Sequence, residues 1–374
     1  MSIIHVESEF AIIDEQQFYE KVFEKSNLKM RPEFFEIHSE FMPDSQFEAI
    51  KKRGVSTGRK RTNSQTHSED VTWIREISTR IRTAGQDSGY FKSREPATDN
   101  NKTAREAAAR AVVVRVPSGA MTSSEQVVEV EKRERVEDLM CNGMISNWIR
   151  FQNNSPVGII RNSDGIQFFL PPNSTFHVGD VADIEQFSAI HDVLFDLVVA
   201  DPPWFCRSVK RTRMYDMNEQ VLERLDPSKF AAPEALLVFW VTNRRGIEEE
   251  MEKRIEKWDM EVIATWKWLK VTTQGDPVYN FENPSHKVPF ENVMFAMRKG
   301  AERPSKFALP EKFVFASVPM AVHSHKPPLF DLLRHFGVEF SRPLELFARS
   351  LLPATHSVGF EPFLLQSERV FVLK

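Results

Sequence analysis

Four apolar residues, Leu197-Val198-Val199-Ala200, run straight into Asp201-Pro202-Pro203-Trp204. A short apolar run of this kind forms a strand buried on both faces, as in a parallel sheet. The paired prolines then stop it, because proline has no N–H for the ladder and its φ is fixed. The chain must leave the sheet here, with an aspartate at the strand's carboxyl end. In open α/β sheets that edge is where ligands bind.

The ordinary reading of the tetrapeptide is a proline turn with a capping aspartate and a buried tryptophan. The chemical reading is more specific. An exocyclic amine on an aromatic ring, such as N6 of adenine, is a poor nucleophile because its lone pair is delocalised. Asp201 can accept one N–H of such an amine and the carbonyl of Pro202 the other. Two acceptors so placed stabilise the positive charge that grows on the nitrogen during attack. Trp204 offers a flat face for stacking the base. The fixed dihedrals of Pro202 and Pro203 keep the acceptors oriented. These four residues are the catalytic candidates.

From residue 173 onward strand and helix patterns alternate. Strands are expected at 175–178, 195–200, 236–241, 261–270, 291–298, 313–318, 344–348 and 369–373, and helices at 218–225, 246–258 and 327–336, the last stopping at Gly337. Such alternation predicts an α/β fold, mostly parallel with at least one antiparallel strand. Asn162-Ser163-Asp164-Gly165 between two apolar runs predicts a hairpin over 157–170. A helix is expected from Ser123, with Val136, Met140, Met144 and Trp148 forming its apolar face. Three parts follow: an N-terminal arm over 1–110, partly flexible and basic, a middle helical and hairpin region over 111–172, and a catalytic domain over 173–374.

The 374 residues carry a net charge of −4, so the whole chain is no basic nucleic-acid coat. The basic charge is local. Residues 51–110 hold 14 Lys or Arg against 7 Asp or Glu. Few large apolar residues fall in 54–70, which predicts a mobile linker. Lys51-Lys52-Arg53 and Arg59-Lys60-Arg61 have the spacing of a nuclear import signal and would equally suit phosphate contacts. Nuclear location is the expectation, with the cytoplasm as the alternative. Two cysteines, Cys141 and Cys206, cannot build a disulfide framework. No apolar run reaches the length of a membrane span, and no signal-peptide pattern opens the chain.

The stretches DLVVADPPW, SVKRTRMY (208–215), LLVFWVTNR (236–244), ATWKWLKVTTQGDPVY (264–279), HSHKPPL (323–329) and LELFAR (344–349) resemble the eukaryotic N6-adenine methyltransferases marked by Asp-Pro-Pro-Trp. The likeness is strongest to their methyltransferase-like 4 branch and spans about 177–361. It implies a Rossmann-like S-adenosylmethionine-dependent methyltransferase core with permuted motif order, carrying an N-terminal extension. No G-x-G occurs in the chain, so the resemblance alone implies S-adenosylmethionine as cofactor. By the same resemblance Asp180 and Val181 meet the adenine end of the cofactor, and Asp201 lies near its methionine part. Lys326 pairs with its carboxylate, Arg349 sits near its ribose, and Glu361 completes the set. The segment 350–361 departs from the family. Phe360 stands where related chains have an asparagine that hydrogen-bonds the ribose, and phenylalanine cannot make that bond.

Lys210, Arg211, Arg213 and Tyr215 follow the catalytic strand and suit a loop that closes over a flipped base and holds flanking phosphates. Asn243 and Arg244 follow the strand at 236–241 and face the same cleft. His323 and His325 form an H-x-H pair, but no cysteine or carboxylate completes a site, so no metal is expected. The reading is methylation of adenine N6 in nucleic acid, DNA somewhat ahead of small nuclear RNA, with no membrane partner. The alternative is a catalytically weak family member acting as a nucleic-acid or partner-binding scaffold. Methylation of a protein side-chain amide is a third reading, against which the cationic loop argues.

Overall fold

The computed structural model describes residues 2–42, 69–93, 95, 99–111, 157–161, 166–181, 194–204, 225–244, 246–281 and 287–374, with Ile184, Leu222 and short strands between 128 and 151. Ten strands carry the argument: β1 (Ile3–Val6), β2 (Phe10–Ile13), β3 (Thr175–Val178), β4 (Phe195–Ala200), β5 (Ala231–Val241), β6 (Met260–Lys270), β7 (Phe290–Arg298), β8 (Lys312–Ser317), β9 (Pro343–Leu346) and β10 (His356–Gly359). They lie in one sheet in the order β1-β2-β8-β6-β7-β5-β4-β9-β10-β3, continued by Ile149–Phe151 and Val128–Val130. From β2 to β3 every neighbouring pair is parallel, except that β7 runs antiparallel to both β5 and β6. The α/β fold with its antiparallel strand is therefore present.

β4 is central because both its faces are apolar. Val198 and Ala200 join a core with α4 (Ile247–Lys257), through Ile247, Met251 and Ile255. Leu197 and Val199 face the other layer. That layer is built on α1 (Glu15–Val22) and α5 (Phe330–His335), which meet through Phe18 and Phe330. Trp266 and Trp268, two residues apart on β6, are both buried there, and each indole N–H finds an acceptor, Pro310 O and Ser317 Oγ respectively. The start of β4 is fixed by Asp196, whose carboxylate accepts the backbone N–H groups of Ser341 and Arg342 at 2.7 and 2.9 Å. That contact sets the register of β4 against β9.

Three local expectations are corrected. Residues 69–87, which begin at the end of the expected linker over 54–70, form α2 (Glu69–Asp87). Val71, Ile74, Ile77 and Ile81 recur at helical spacing and are buried against the sheet. Burial of each is worth about 1.5–3 kcal/mol, which offsets a weak intrinsic tendency to form an isolated helix. The helix expected from Ser123 is replaced by short strands at Val128–Val130, Glu134–Arg135, Met140–Cys141, Met144–Ile145 and Ile149–Phe151. Valine-rich runs such as 127–130 favour pleated backbone, and β partners outweighed the four-residue apolar spacing. The segment 350–361 carries a strand, β10, that its sequence did not announce. The hairpin forms as expected, Gly158–Arg161 with Gln167–Leu170. The expected helix 218–225 lies, apart from Leu222 and Leu225, outside the described residues, as do residues 54–68 of the expected mobile linker 54–70.

The N-terminal residues are part of the sheet. All four residues of β2 are buried, and β2 pairs with β8. Asp14 caps α1 by accepting the N–H of Gln17, and the final strand Phe371–Leu373 pairs with Leu28–Met30. α3 (Lys102–Ala111) packs Ala104, Ala108 and Ala111 inward.

Two glycines in the left-handed region give a graded test of this packing. Gly337 ends α5 at φ 75°, and a Cβ there would lie 1.9 Å from the Lys306 carbonyl oxygen. Gly300 has φ 71° and open space around it. Gly300→Ala should cost about 1 kcal/mol of backbone strain. Gly337→Ala should cost about 3 kcal/mol or more, because backbone must move. Urea unfolding of the two variants measures the difference; equal losses would mean the close approach has no energetic weight.

Candidate active site

The carboxyl ends of the parallel strands and the amino end of β7 share one edge of the sheet. Asp201 follows β4, Asn243 and Arg244 follow β5, and Lys270 closes β6. Arg349 follows β9, Glu361 follows β10, and Asp180 and Val181 follow β3. Because β7 is antiparallel, Glu291 near its start arrives at the same edge. Strand direction selects which strand ends share this edge, and strand order selects which of them are neighbours.

At the centre is a chain of alternating charges. Lys326 Nζ lies 3.1 Å from Asp201 Oδ2 and 3.1 Å from Glu291 Oε2. The other oxygen of Glu291 is held by Lys270 Nζ. Both ammonium groups rest above indole faces, Lys326 5.7 Å from the ring of Trp240 and Lys270 4.5 Å from that of Trp268. The two indoles pack edge to face at 5.5 Å. Trp204 is anchored to this floor, its Nε1 donating to the Trp240 carbonyl at 2.8 Å. Pro202 is buried beside Asp201, beyond the last residue of β4 paired in the ladder.

Burial alone would raise the carboxyl of Glu291, but Lys326 and Lys270 outweigh it and bring its pKa to about 2. Burial works against the charge of Lys326 too, yet Asp201 and Glu291 hold its pKa above the usual lysine value. Lys270 goes the other way: burial depresses it more than Glu291 restores it. Glu345 on β9 is the exception in the cluster. Burial, reinforced by the charge of Asp201, pushes its pKa to about 8, and its Oε2 is buried without a hydrogen-bond partner.

The far side of the edge is shaped by backbone. Phe347, directly after β9, has φ 61°, a conformation that a bulky residue adopts only under constraint. A Cβ on Gly359 would lie 2.9 Å from the Ala348 amide nitrogen, so β9 and β10 approach closely where they leave the sheet. Arg349 donates from Nη1 to the His323 carbonyl at 3.0 Å, and its Nε lies 3.6 Å from Glu361 Oε2. His323 is held below the usual histidine value by burial and by Arg349 and Lys326.

Of the residues expected from sequence, Asp201, Pro202, Lys326 and Trp204 converge directly. Arg349 and Glu361 pair with each other beside them. Asp180 and Val181 lie at the end of β3, with the Val181 side chain packed into the core. Asn243 donates its amide to the Phe290 carbonyl, next to Glu291. Arg244 is exposed at the start of α4, where its carbonyl accepts the N–H of Ile247. Pro203 is half-buried between Pro202 and Trp204. Lys210, Arg211, Arg213 and Tyr215 lie outside the described residues. Sequence reasoning missed Lys270, Glu291 and Glu345. Each is a charged residue inside an apolar strand run, which was the available signal. Among the described residues no cluster of three His, Cys, Asp or Glu could hold a metal ion, and no helix is long and apolar enough to cross a membrane.

The MT-A70 family model matches residues 195–361. The chain is 59% identical over 366 residues to a DNA N6-methyl methyltransferase of Caenorhabditis elegans, covering 98% of each chain. It is 34% identical over 233 residues to the human N(6)-adenine-specific methyltransferase METTL4, covering 59% of this chain and 48% of that one. An N6-methyladenosine RNA methyltransferase MTA1 of Cryphonectria parasitica is 32% identical over 255 residues, covering 64% of this chain and 74% of the relative.

The raised pKa of Glu345 has a testable sign. Between an ordinary carboxyl value of 4.5 and about 8 the folded protein keeps a proton that the unfolded chain releases. Glu345 therefore withdraws stability as the pH rises through that window. Glu345→Gln should be more stable than the parent at pH 8.5, with the gap closing towards pH 4.5, as read by urea unfolding at both values. A gap independent of pH would rule out the buried, protonated carboxyl.

Proposed function

The chain belongs to the MT-A70 family, and we propose that it transfers a methyl group from S-adenosylmethionine to N6 of adenine in nucleic acid. Asp201 at the end of β4, fixed by Lys326 and flanked by Pro202 and Trp204, carries this reading. It is a prepared hydrogen-bond acceptor beside an aromatic face, which is what an adenine amine needs to become nucleophilic.

The residues present fit the cofactor. Lys326 and Arg349 bring two cations to the edge for a carboxylate, and Glu361 offers oxygens for ribose hydroxyls. The carboxylate of Asp180, at the end of β3, suits an exocyclic amine. At Gly359 the Ala348 backbone leaves no room for a side chain. Phe360 offers no hydrogen bond to the ribose, at a cost of about 1 kcal/mol of cofactor affinity. When bound, S-adenosylmethionine supplies a methyl group on a positively charged sulfur, open to direct attack.

The protein's contribution is orientation and charge. Trp204 stacks on the base, and its indole cannot swing because Nε1 is tied to Trp240. Asp201 and the carbonyl of Pro202 accept the two N6–H groups, drawing the nitrogen lone pair out of the ring. Positive charge grows on N6 as the methyl group arrives, and the same acceptors stabilise it. The charged nitrogen is then acidic and loses its proton to solvent without a strong base. Lys326 keeps Asp201 in place throughout. No covalent intermediate with the protein is needed.

DNA is favoured over RNA as substrate, because the relative aligned over nearly the whole chain is a DNA N6-methyl methyltransferase. Transfer from labelled S-adenosylmethionine to matched DNA and RNA oligonucleotides tests both points. Asp201→Ala should lower transfer at least about 100-fold, the loss typical of a preorganised charge-stabilising group. DNA should be the better acceptor. Transfer that survives Asp201→Ala would sink the assignment of its role. No transfer by the folded parent, with cofactor binding intact, would favour the scaffold reading.

A further inference from the structure

We propose that Glu15 and Tyr19, on the N-terminal helix α1, are positioning residues that act through His325 to hold Lys326 at the site. The proposal rests on the reading above that Lys326 receives the cofactor carboxylate.

Three buried polar groups meet where apolar packing would be expected. The Glu15 side chain is 1% exposed and that of His325 4%, and Tyr19 is also buried. Glu15 Oε1 lies 2.5 Å from His325 Nε2 without the alignment of a hydrogen bond, and Glu15 Oε2 has no hydrogen-bond partner. The Tyr19 hydroxyl lies 3.3 Å from the same imidazole nitrogen. Burying a carboxylate costs several kcal/mol unless it is compensated. Phe18, its neighbour on α1, shows that this helix can fill the same layer with hydrocarbon. The polar set therefore needs a reason beyond packing.

The geometry supplies one. His325 is adjacent to Lys326 in a turn whose His325 N–H reaches the Val322 carbonyl at 3.3 Å. Ser324 in that turn has φ 60°, the left-handed region. This folds the lysine back, so that Nζ reaches the Ser324 carbonyl at 3.3 Å as well as Asp201 and Glu291. His325 is where the buried side chains of α1 contact this turn. Tyr19 grips a second part of the site too. Its phenol is pushed well above the usual pKa by burial and by Glu15 and Glu345, so it remains a donor, and the Ser350 hydroxyl lies against it. Ser350 follows Arg349. α1 thus joins the turn bearing Lys326 to the end of β9, and the first residues of the chain become part of the cofactor site without touching cofactor.

A pair of ligands separates positioning from simple support. S-adenosylhomocysteine has the amino-acid carboxylate, and methylthioadenosine has the same nucleoside without it. Calorimetric titration of each is compared for the full chain, Lys326→Met, Glu15→Gln and Tyr19→Phe, with thermal unfolding alongside. Lys326→Met should weaken S-adenosylhomocysteine about tenfold or more and leave methylthioadenosine nearly unchanged, as expected for one charged contact. Glu15→Gln and Tyr19→Phe should reproduce that selective loss at about three- to tenfold. If Lys326→Met is selective but neither α1 variant is, the positioning role is overturned while the reading of Lys326 stands. Equal weakening of both ligands by the α1 variants would mean a structural role and would also overturn it. If Lys326→Met shows no selectivity, the reading of Lys326 itself fails. Tyr19→Phe removes only a hydroxyl, so it carries the test if Glu15→Gln does not fold.

Discussion

A lysine ammonium between two carboxylates, at the edge of an otherwise apolar sheet, is the contact on which the site depends. Charges taken out of water are tolerated only when each has an opposite partner at hydrogen-bond distance. Lys326 meets that condition with Asp201 and Glu291, and Glu291 meets it again with Lys270. Remove Lys326 and Asp201 loses its lysine partner; remove Glu291 and Lys270 loses its carboxylate partner. The two tryptophans beneath, Trp240 and Trp268, keep water from below and offer their ring faces to the cations. The apolar core and the charged edge are thus one construction, with the indole layer as the boundary.

Strand direction makes the cluster possible. A parallel sheet collects the residues that follow its strands, and Asp201, Lys270 and Arg349 arrive in this way. Glu291 arrives by the opposite route, because β7 is antiparallel and starts where the others end. The same arrangement buries Glu345 and places it near Asp201, and burial first, then the charge of Asp201, pushes its pKa up to about 8. The N-terminal residues enter the same construction from the other end of the chain. β2 extends the sheet beyond β8, and α1 then crosses to lie beneath the turn that carries Lys326. Contacts between residues more than 300 positions apart, such as Tyr19 with His325, mean that the site forms only once the whole sheet is assembled.

The sequence by itself determined strand β4, the aspartate at its end and the α/β character of residues 173–374. Those features are local: an apolar run, a proline stop and the alternation of two- and 3.6-residue periods each act within a few residues. Lys326 and Arg349 were reached through the family resemblance of HSHKPPL and LELFAR. Only the tertiary structure decided that Lys270, Glu291 and Glu345 belong to the site. A charged residue in a strand looks the same in sequence whether it faces water or a buried partner, and the choice depends on strands that pair across long stretches of chain. The same limit applied to residues 1–42 and 69–87. Their apolar spacing was present, but its partners lie far along the chain: β8 for β2, and β2, β6 and β8 for α2. A short-range pattern can specify a strand or a helix face; what that face is buried against, and which charges meet at the edge, is fixed by sheet order and strand direction.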